Sequence, residues 1–169
     1  HWKKYGPVFQ QKQYENMWSK SGSITSAYTN SHIVAAKING LYWMYWGDKY
    51  IWTATSTDLI HWSPMQQTPD KNFDSVYSGY NISQLKIALP TRKNKFDCDL
   101  VESGPPAMIT DKGILLIYNS RNIPLIGDTG LAKGTYTVSQ VLFDKNNPAN
   151  IIERMNTYFL KPEQPYEFS

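Results

Sequence analysis

Two stretches of this chain share one frame. Each places a charged residue before Ser-Gly and, further on, a glycine that leads a hydrophobic run. The first pairs Lys20-Ser21-Gly22 with the run at 40–45, and the second pairs Glu102-Ser103-Gly104 with the run at 113–118. The leading glycines, Gly40 and Gly113, stand 73 residues apart (113 minus 40). Self-similarity over tens of residues marks a repeat architecture, in which each unit buries its apolar face against the next. A smaller echo, His1-Trp2 and His61-Trp62, is expected to close a strand and open a polar turn each time. The Ser-Gly frame is kept while its charged residue changes from Lys to Glu. That pattern predicts a site assembled from equivalent corners of successive units.

The units read as β-structure. Runs at 41–46 and 50–55 are aromatic and β-branched, and Gly47-Asp48-Lys49 between them suits a hairpin turn. Further strands are expected at 58–62, with Pro64 as the stop, and at 114–119, 135–143 and 151–155. Within 135–143, Thr137, Ser139, Val141 and Phe143 alternate with Tyr136, Val138, Gln140 and Leu142, so one set faces the core. The best helical candidate, 78–89, contains a glycine and has no apolar face. Long polar connections at 68–79 and 119–134 are candidates for functional loops. Short strands with a repeat predict an all-β fold, a β-propeller of which this chain forms about two to three blades, in units of roughly 1–17, 18–100 and 101–169. A β-sandwich is the competing architecture, but it does not require the repeat.

Composition narrows the function. A hydrophobic share of 41% excludes disorder, and no apolar run reaches the roughly 18–20 residues of a membrane-spanning helix. The net charge of +3 is too small and too scattered to suggest nucleic acid. The short basic run at 92–95 is expected to be a solvated loop. A lone Cys98 forbids an internal disulfide, and His1, His32 and His61 offer no zinc spacing with it. No phosphate-cradling loop or Gly-x-Ser-x-Gly elbow occurs, so neither metal nor cofactor is expected. Aromatic residues make up 14% of the chain, more than a core of this size ordinarily uses. Some are therefore expected to line a wet surface.

The candidate site residues follow from these patterns. Glu102 sits on a corner stiffened by Gly104-Pro105-Pro106, which suits a general base or a group binding hydroxyls. The plain alternative is a surface glutamate at a strand entry. Asp48 at a strand end is a second catalytic candidate, or a turn aspartate capping backbone N–H groups. Lys20, the matching corner, could hold a phosphate or a sugar hydroxyl, or be an exposed turn lysine. Tyr45 and Trp46 could offer flat faces to sugar rings, although packing is the commoner use of such residues. Tyr118, Asn119 and Arg121 end one strand and open a long loop, where binding residues are common.

The chain resembles glycoside hydrolase family 130, the five-bladed propellers that include mannoside phosphorylases and some β-mannosidases. Glu102-Ser103-Gly104-Pro105-Pro106, Ile109-Thr110 and the run at 113–118 are similar to that family's Glu-x-Gly-Pro-Pro, Thr and Gly-Trp-Leu-Leu-Ile-Tyr stretch. Val141-Leu142-Phe143-Asp144, Asn147-Pro148 and Arg154 resemble its Leu-Leu-Asp, Asp-Pro and Arg segment. Lys161-Pro162-Glu163 and Tyr166-Glu167 resemble its closing Pro-Glu and Tyr-Glu. Lys20-Ser21-Gly22 and the stretch 55–62 match upstream.

The resemblance implies an enzyme acting on β-linked mannose or a similar sugar in an oligosaccharide, most simply an inverting hydrolase with Glu102 as base and Asp48 in reserve. It also implies that the general acid, an aspartate in a Glu-Asp-Pro-Arg motif, lies outside these residues, as does an Arg-bearing segment that binds phosphate. Where the family's phosphate-binding histidine is expected, this chain reads Tyr45-Trp46-Gly47-Asp48, which leans towards hydrolysis. The alternatives are a phosphorylase that takes inorganic phosphate at Lys20, a propeller hydrolase of the family 43 or 32 kind, and a non-catalytic sugar-binding propeller. The chain opens on His1, as expected of a processed chain or a piece of a longer one. By itself it is then expected to be inactive and to self-associate, with aromatic strands such as 41–46 short of neighbours.

Overall fold

The computed structural model describes every residue except 15, 16, 18, 70–75, 78, 79, 168 and 169. It is all-β and has the fold of a partial β-propeller. The strands are β1 (Ser21–Thr29), β2 (His32–Ala35), β3 (Tyr42–Gly47), β4 (Ile51–Ser56), β5 (Ser63–Pro64), β6 (Val76–Tyr77), β7 (Tyr80–Asn81), β8 (Ile87–Leu89), β9 (Leu100–Ser103), β10 (Ala107–Thr110), β11 (Gly113–Arg121), β12 (Tyr136–Phe143) and β13 (Ile151–Arg154). A single 3-10 turn, Pro165–Glu167, closes the described chain.

The sheet order is β13-β12-β11-β10-β1-β3-β4-β5, with β2 on β1, β8 on β4 and β9 on β11. β1 serves two neighbourhoods. Its first half, Ser21 to Ile24, pairs antiparallel with β3, and Thr25 and Ser26 pair in parallel with β10. Gly104-Pro105-Pro106 separates β9 from β10, so both lie along β11, β9 at its far end and β10 at its start. Lys20 and Glu102 therefore enter at comparable places, one just before β1 and the other on β9.

Strand alternation divides the aromatics between two cores. Trp43 and Tyr45 of β3 point to one side, joining Ile51, Leu89, Val101, Leu116, Tyr118, Val141 and Phe143. Met44 and Trp46 point to the other, joining Phe9, Tyr14, Trp52, Trp62, Ile82 and Leu85. β3 and β4 are buried on both faces, which is why they read as nearly continuous apolar runs. The strand at 41–46 thus has neighbours on both sides, contrary to the expectation of an uncovered aromatic face.

The expected strands near 41–46, 50–55, 114–119, 135–143 and 151–155 are all present, and of the two alternating sets of β12 it is Thr137, Ser139, Val141 and Phe143 that is buried. Four readings need correction. Residues 58–62 form a turn instead of a strand. The Asp58 carboxylate accepts hydrogen bonds from the backbone N–H groups of Ile60 and His61, and the Ser56 hydroxyl accepts from those of Asp58 and Leu59. Pro64 lies within β5, a short strand at the end of the sheet path, where the missing proline donor costs no ladder bond. His1-Trp2 ends no strand, and the Trp2 side chain is fully exposed.

The fourth correction concerns the basic run. Arg92 is drawn inward to Asp97, which is completely buried and also accepts from Arg154 and from the Tyr118 hydroxyl. Most of the 68–79 connection and the start of the 78–89 segment lie outside the described residues. What is described of 80–89 is strand and turn.

Candidate active site

The two Ser-Gly corners meet. Lys20 Nζ lies 3.4 Å from Glu102 Oε2 and 3.8 Å from Asp48 Oδ1. The same ammonium donates to the Tyr136 hydroxyl at 3.4 Å. Glu102 and Asp48 are both buried, whereas the lysine side chain keeps 39% of its exposure. Burial pulls the Lys20 ammonium towards lower pKa, but Glu102 and Asp48 outweigh it and hold it above the usual lysine value.

Local sequence explains how these groups are held. Asp48 follows Gly47, whose φ of +131° is one that residues with side chains rarely adopt. A Cβ at Gly47 would stand 2.3 Å from the Tyr50 carbonyl oxygen and 2.6 Å from the Trp52 ring, so the turn closes this tightly only with glycine. Ser19 accepts a hydrogen bond from the Gly47 N–H at 3.1 Å, tying the approach to Lys20 against the Asp48 turn. Glu102 stands opposite Asn119 in the β9–β11 ladder, and directly opposed residues project to the same face.

A second cation joins the cluster. Arg121 is ion-paired with Asp99 and lies 5.9 Å from the centre of the Tyr136 ring. Burial opposes its charge, and the hydrogen bond to Asp99 more than compensates, raising its pKa. Lys20, Asp48, Lys49, Asp99, Leu100 and Arg121 line a polar cleft of about 190 Å³. On the other side of Lys20, a cleft of about 410 Å³ is walled by Phe9, Tyr14, Met17, Met44 and Trp46.

The fold thus brings together Lys20, Asp48, Glu102 and Arg121 of the expected set, with Asn119 beside Glu102. It removes three others from substrate contact. Tyr45 is fully buried, stacked 4.7 Å from Phe143, and its hydroxyl is spent on the Pro148 carbonyl at 2.7 Å. Tyr118 is equally buried, its hydroxyl donating to Asp97 at 2.9 Å. Trp46 is packed between Phe9 and Trp52, at 4.4 and 5.0 Å, with 1% of its surface exposed. Tyr45 and Trp46 lie on β3, covered on both faces, and Tyr118 on the core-facing side of β11, so their aromatic character serves packing. Tyr136 and Asp99 were missed. The alternation of 135–143 places Tyr136 on the face away from the core, and Asp99 directly precedes β9. Only the fold shows both beside Lys20 and Arg121.

Chemically, the cluster offers a carboxylate whose Oε2 is buried, makes no hydrogen bond to the described residues and lies 3.4 Å from the Lys20 ammonium. An acceptor left open in this way is rare in a native interior and suits proton abstraction. The described residues contain no cluster of His, Cys, Asp and Glu able to hold a metal ion.

The model of glycoside hydrolase family 130, described as β-1,4-mannooligosaccharide phosphorylase, matches residues 1–168. No curated protein sequence matches the chain. Among solved structures, a provisionally assigned glycosidase from Bacteroides thetaiotaomicron is 41% identical, with a TM-score of 0.85 over 99% of this chain and 45% of its own. A second, 36% identical, also has a TM-score of 0.85 over 99% of this chain and 44% of its own. It belongs to work describing glycoside hydrolases, within this family of mannoside phosphorylases, that target β-1,2-mannosidic linkages in Candida mannan. A β-1,2-mannobiose phosphorylase from Listeria innocua, 22% identical, shares the fold at a TM-score of 0.60 over 88% of this chain and 33% of its own. The chain spans less than half the length of these structures.

Proposed function

Because this chain belongs to glycoside hydrolase family 130, we propose that it serves an enzyme that hydrolyses β-linked mannosides with inversion, using Glu102 as the general base. The observation that carries this reading is the Glu102 carboxylate itself: buried, held 3.4 Å from Lys20, and with no hydrogen bond to Oε2 from the described residues. In an inverting mechanism one carboxyl group protonates the leaving oxygen, while another, about 6.5–9.5 Å away, takes a proton from the attacking water. Glu102 performs the second task, with Asp48 as the reserve carboxylate. Lys20 compensates the buried charge and, with Asn119 and Arg121, is placed to hold sugar hydroxyls. The acid comes from residues outside this chain. Residues 1–17, 18–100 and 101–169 serve as successive blade units, and the site forms where the second and third meet.

Charge balance supports hydrolysis over phosphorolysis. Around the site, Lys20, Lys49 and Arg121 are matched by Asp48, Asp99 and Glu102, and Lys20 and Arg121 each contact a carboxylate. A phosphate dianion needs a surplus of positive charge, and the described residues around the site supply none. The absence of histidine from 41–48 points the same way. So does the 36% identity to a structure from work that describes hydrolases within this family.

The test is to incubate the intact protein with a β-mannoside, with and without phosphate, and to identify the released sugar. Free mannose, formed equally in both, is expected. Mannose 1-phosphate appearing only with phosphate would replace this reading by phosphorolysis at Lys20. Glu102→Gln is expected to lower kcat by about 10²–10⁴.

A further inference from the structure

Lys20 and Glu102 come from segments far apart in sequence, yet they are held to a single contact distance. The residues that follow them explain how. Ser21 Oγ lies 2.6 Å from the Ser103 carbonyl oxygen and 3.1 Å from Ser103 Oγ. Ser103 Oγ lies 3.0 Å from the Tyr45 carbonyl oxygen. Each hydroxyl has one proton to give. The shortest consistent assignment has Ser21 donating to the Ser103 carbonyl and Ser103 donating to the Tyr45 carbonyl. One turn of strand further on, Ser23 Oγ sits 2.7 Å from both the Gly104 and Pro105 carbonyl oxygens. Ser23 and Ser103 are buried, and Ser21 is partly so.

We propose that this serine seam is the positioning device of the site: Ser21 and Ser103 hold the two corners together so that the Lys20 ammonium stays against the Glu102 carboxylate. The backbone ladder between the two segments begins only beyond the corners, where Thr25 and Ser26 pair with Ala107 and Met108. β9 pairs with β11, and the adjoining part of β1 pairs with β3, so no ladder bond joins Ser21 to Ser103. Side-chain hydroxyls bridge the gap. Serine is suited to it because it is small enough for close approach and can donate to one carbonyl while accepting elsewhere. Retaining the Ser-Gly frame at both corners, with only the charged residue changed, makes physical sense on this account.

The inference rests on the reading of Glu102 as base, but its decisive measurement does not. Lys20 faces Glu102 on β9, Asp48 from the β3–β4 turn and Tyr136 on β12, with Lys49, Asp99 and Arg121 around the same cleft. If Ser21→Ala lets the corners part, Lys20 loses part of its nearest carboxylate, and burial then draws its titration midpoint down. NMR titration of the Lys20 side chain in the intact protein reads this directly. A fall of the midpoint in Ser21→Ala, and its retention in Ser21→Thr, which keeps the hydroxyl, is the expected result.

Kinetically, Ser21→Ala should lower kcat roughly 10-fold with KM nearly unchanged, the signature of a misplaced group and not of lost binding. Combined with Lys20→Met, it should cost little beyond Lys20→Met alone, because both act through the same contact. A Lys20 midpoint and a kcat in Ser21→Ala equal to those of the wild type would overturn the proposal. A strictly additive double variant would overturn it as well, even if Ser21→Ala melts lower. Should Glu102→Gln keep full activity, the assignment of the base fails, and the Lys20 titration still decides the seam.

Discussion

Asp97 is the most consequential buried charge in the described structure, and replacing it by alanine tests whether the fold depends on it. Its carboxylate is fully buried. Oδ2 accepts from Arg92 Nη2 at 2.7 Å, Arg154 Nη2 at 2.6 Å and the Tyr118 hydroxyl at 2.9 Å, and Oδ1 accepts from Arg92 Nε at 3.1 Å. These contacts tie the segment entering β9 to β11 and β13, and so fix the strand that carries Glu102. Summing each bond would overstate the loss, because part of the interaction energy offsets desolvation of the three charges.

The better measure is what remains after Asp97→Ala. Arg154, with only 7% of its side chain exposed, keeps the Pro90 carbonyl but loses its counter-ion. Arg92, at 21% exposure, turns partly to water. Removing one partner of such a buried pair costs about 3–5 kcal/mol. For a chain of this length that lowers Tm by roughly 6–20 °C. Urea unfolding followed by tryptophan fluorescence gives the free energy, and an unchanged slope confirms that the variant unfolds from a similar native state. A loss below about 1 kcal/mol would show that the cluster only balances its own desolvation, and the reasoning would fail.

Gly47→Ala should destabilise the fold by about 2–5 kcal/mol, since it combines a forced φ with overlap at Tyr50 and Trp52; a thermal melt checks this, and an unaltered Tm refutes the assignment of that turn. The turn at 56–61 predicts a pH effect. Backbone N–H groups of His61 and Ile60, with the His61 side chain, hold the Asp58 carboxyl well below the usual carboxylate range. Because the folded pKa is depressed, its contribution is complete above the ordinary aspartate value and is lost as the pH falls below it. The difference in Tm between wild type and Asp58→Ala should therefore be largest near neutrality and shrink in acid; a difference that is flat from pH 7 to pH 2.5 contradicts the mechanism.

Much of this molecule is written in local sequence. Alternation in 135–143 sorted the residues of β12 into two faces, and the glycine-led run at 113–118 foretold β11, because strand period and turn chemistry depend on neighbours along the chain. The paired Ser-Gly frames even indicated that Lys20 and Glu102 would meet. Other features were decided only by packing. Tyr45, Trp46 and Tyr118 looked like candidates for sugar contact, yet sequence cannot tell that β3 is covered on both faces or that Tyr118 lies on the core side of β11. The turn at 58–62 misled because side-chain capping by Ser56 and Asp58 outcompeted the apolar run. Arg92 sits in a polar, basic stretch, and nothing near it in sequence announces a buried carboxylate shared with an arginine 62 residues away (154 minus 92). The contacts that make the site, 3.4 Å from Lys20 to Glu102 and 2.6 Å from Ser21 to Ser103, join corners 82 residues apart (102 minus 20). Local propensity sets the strands and turns; which corners touch, and which charges are stripped of water, is settled only when separate sheets pack.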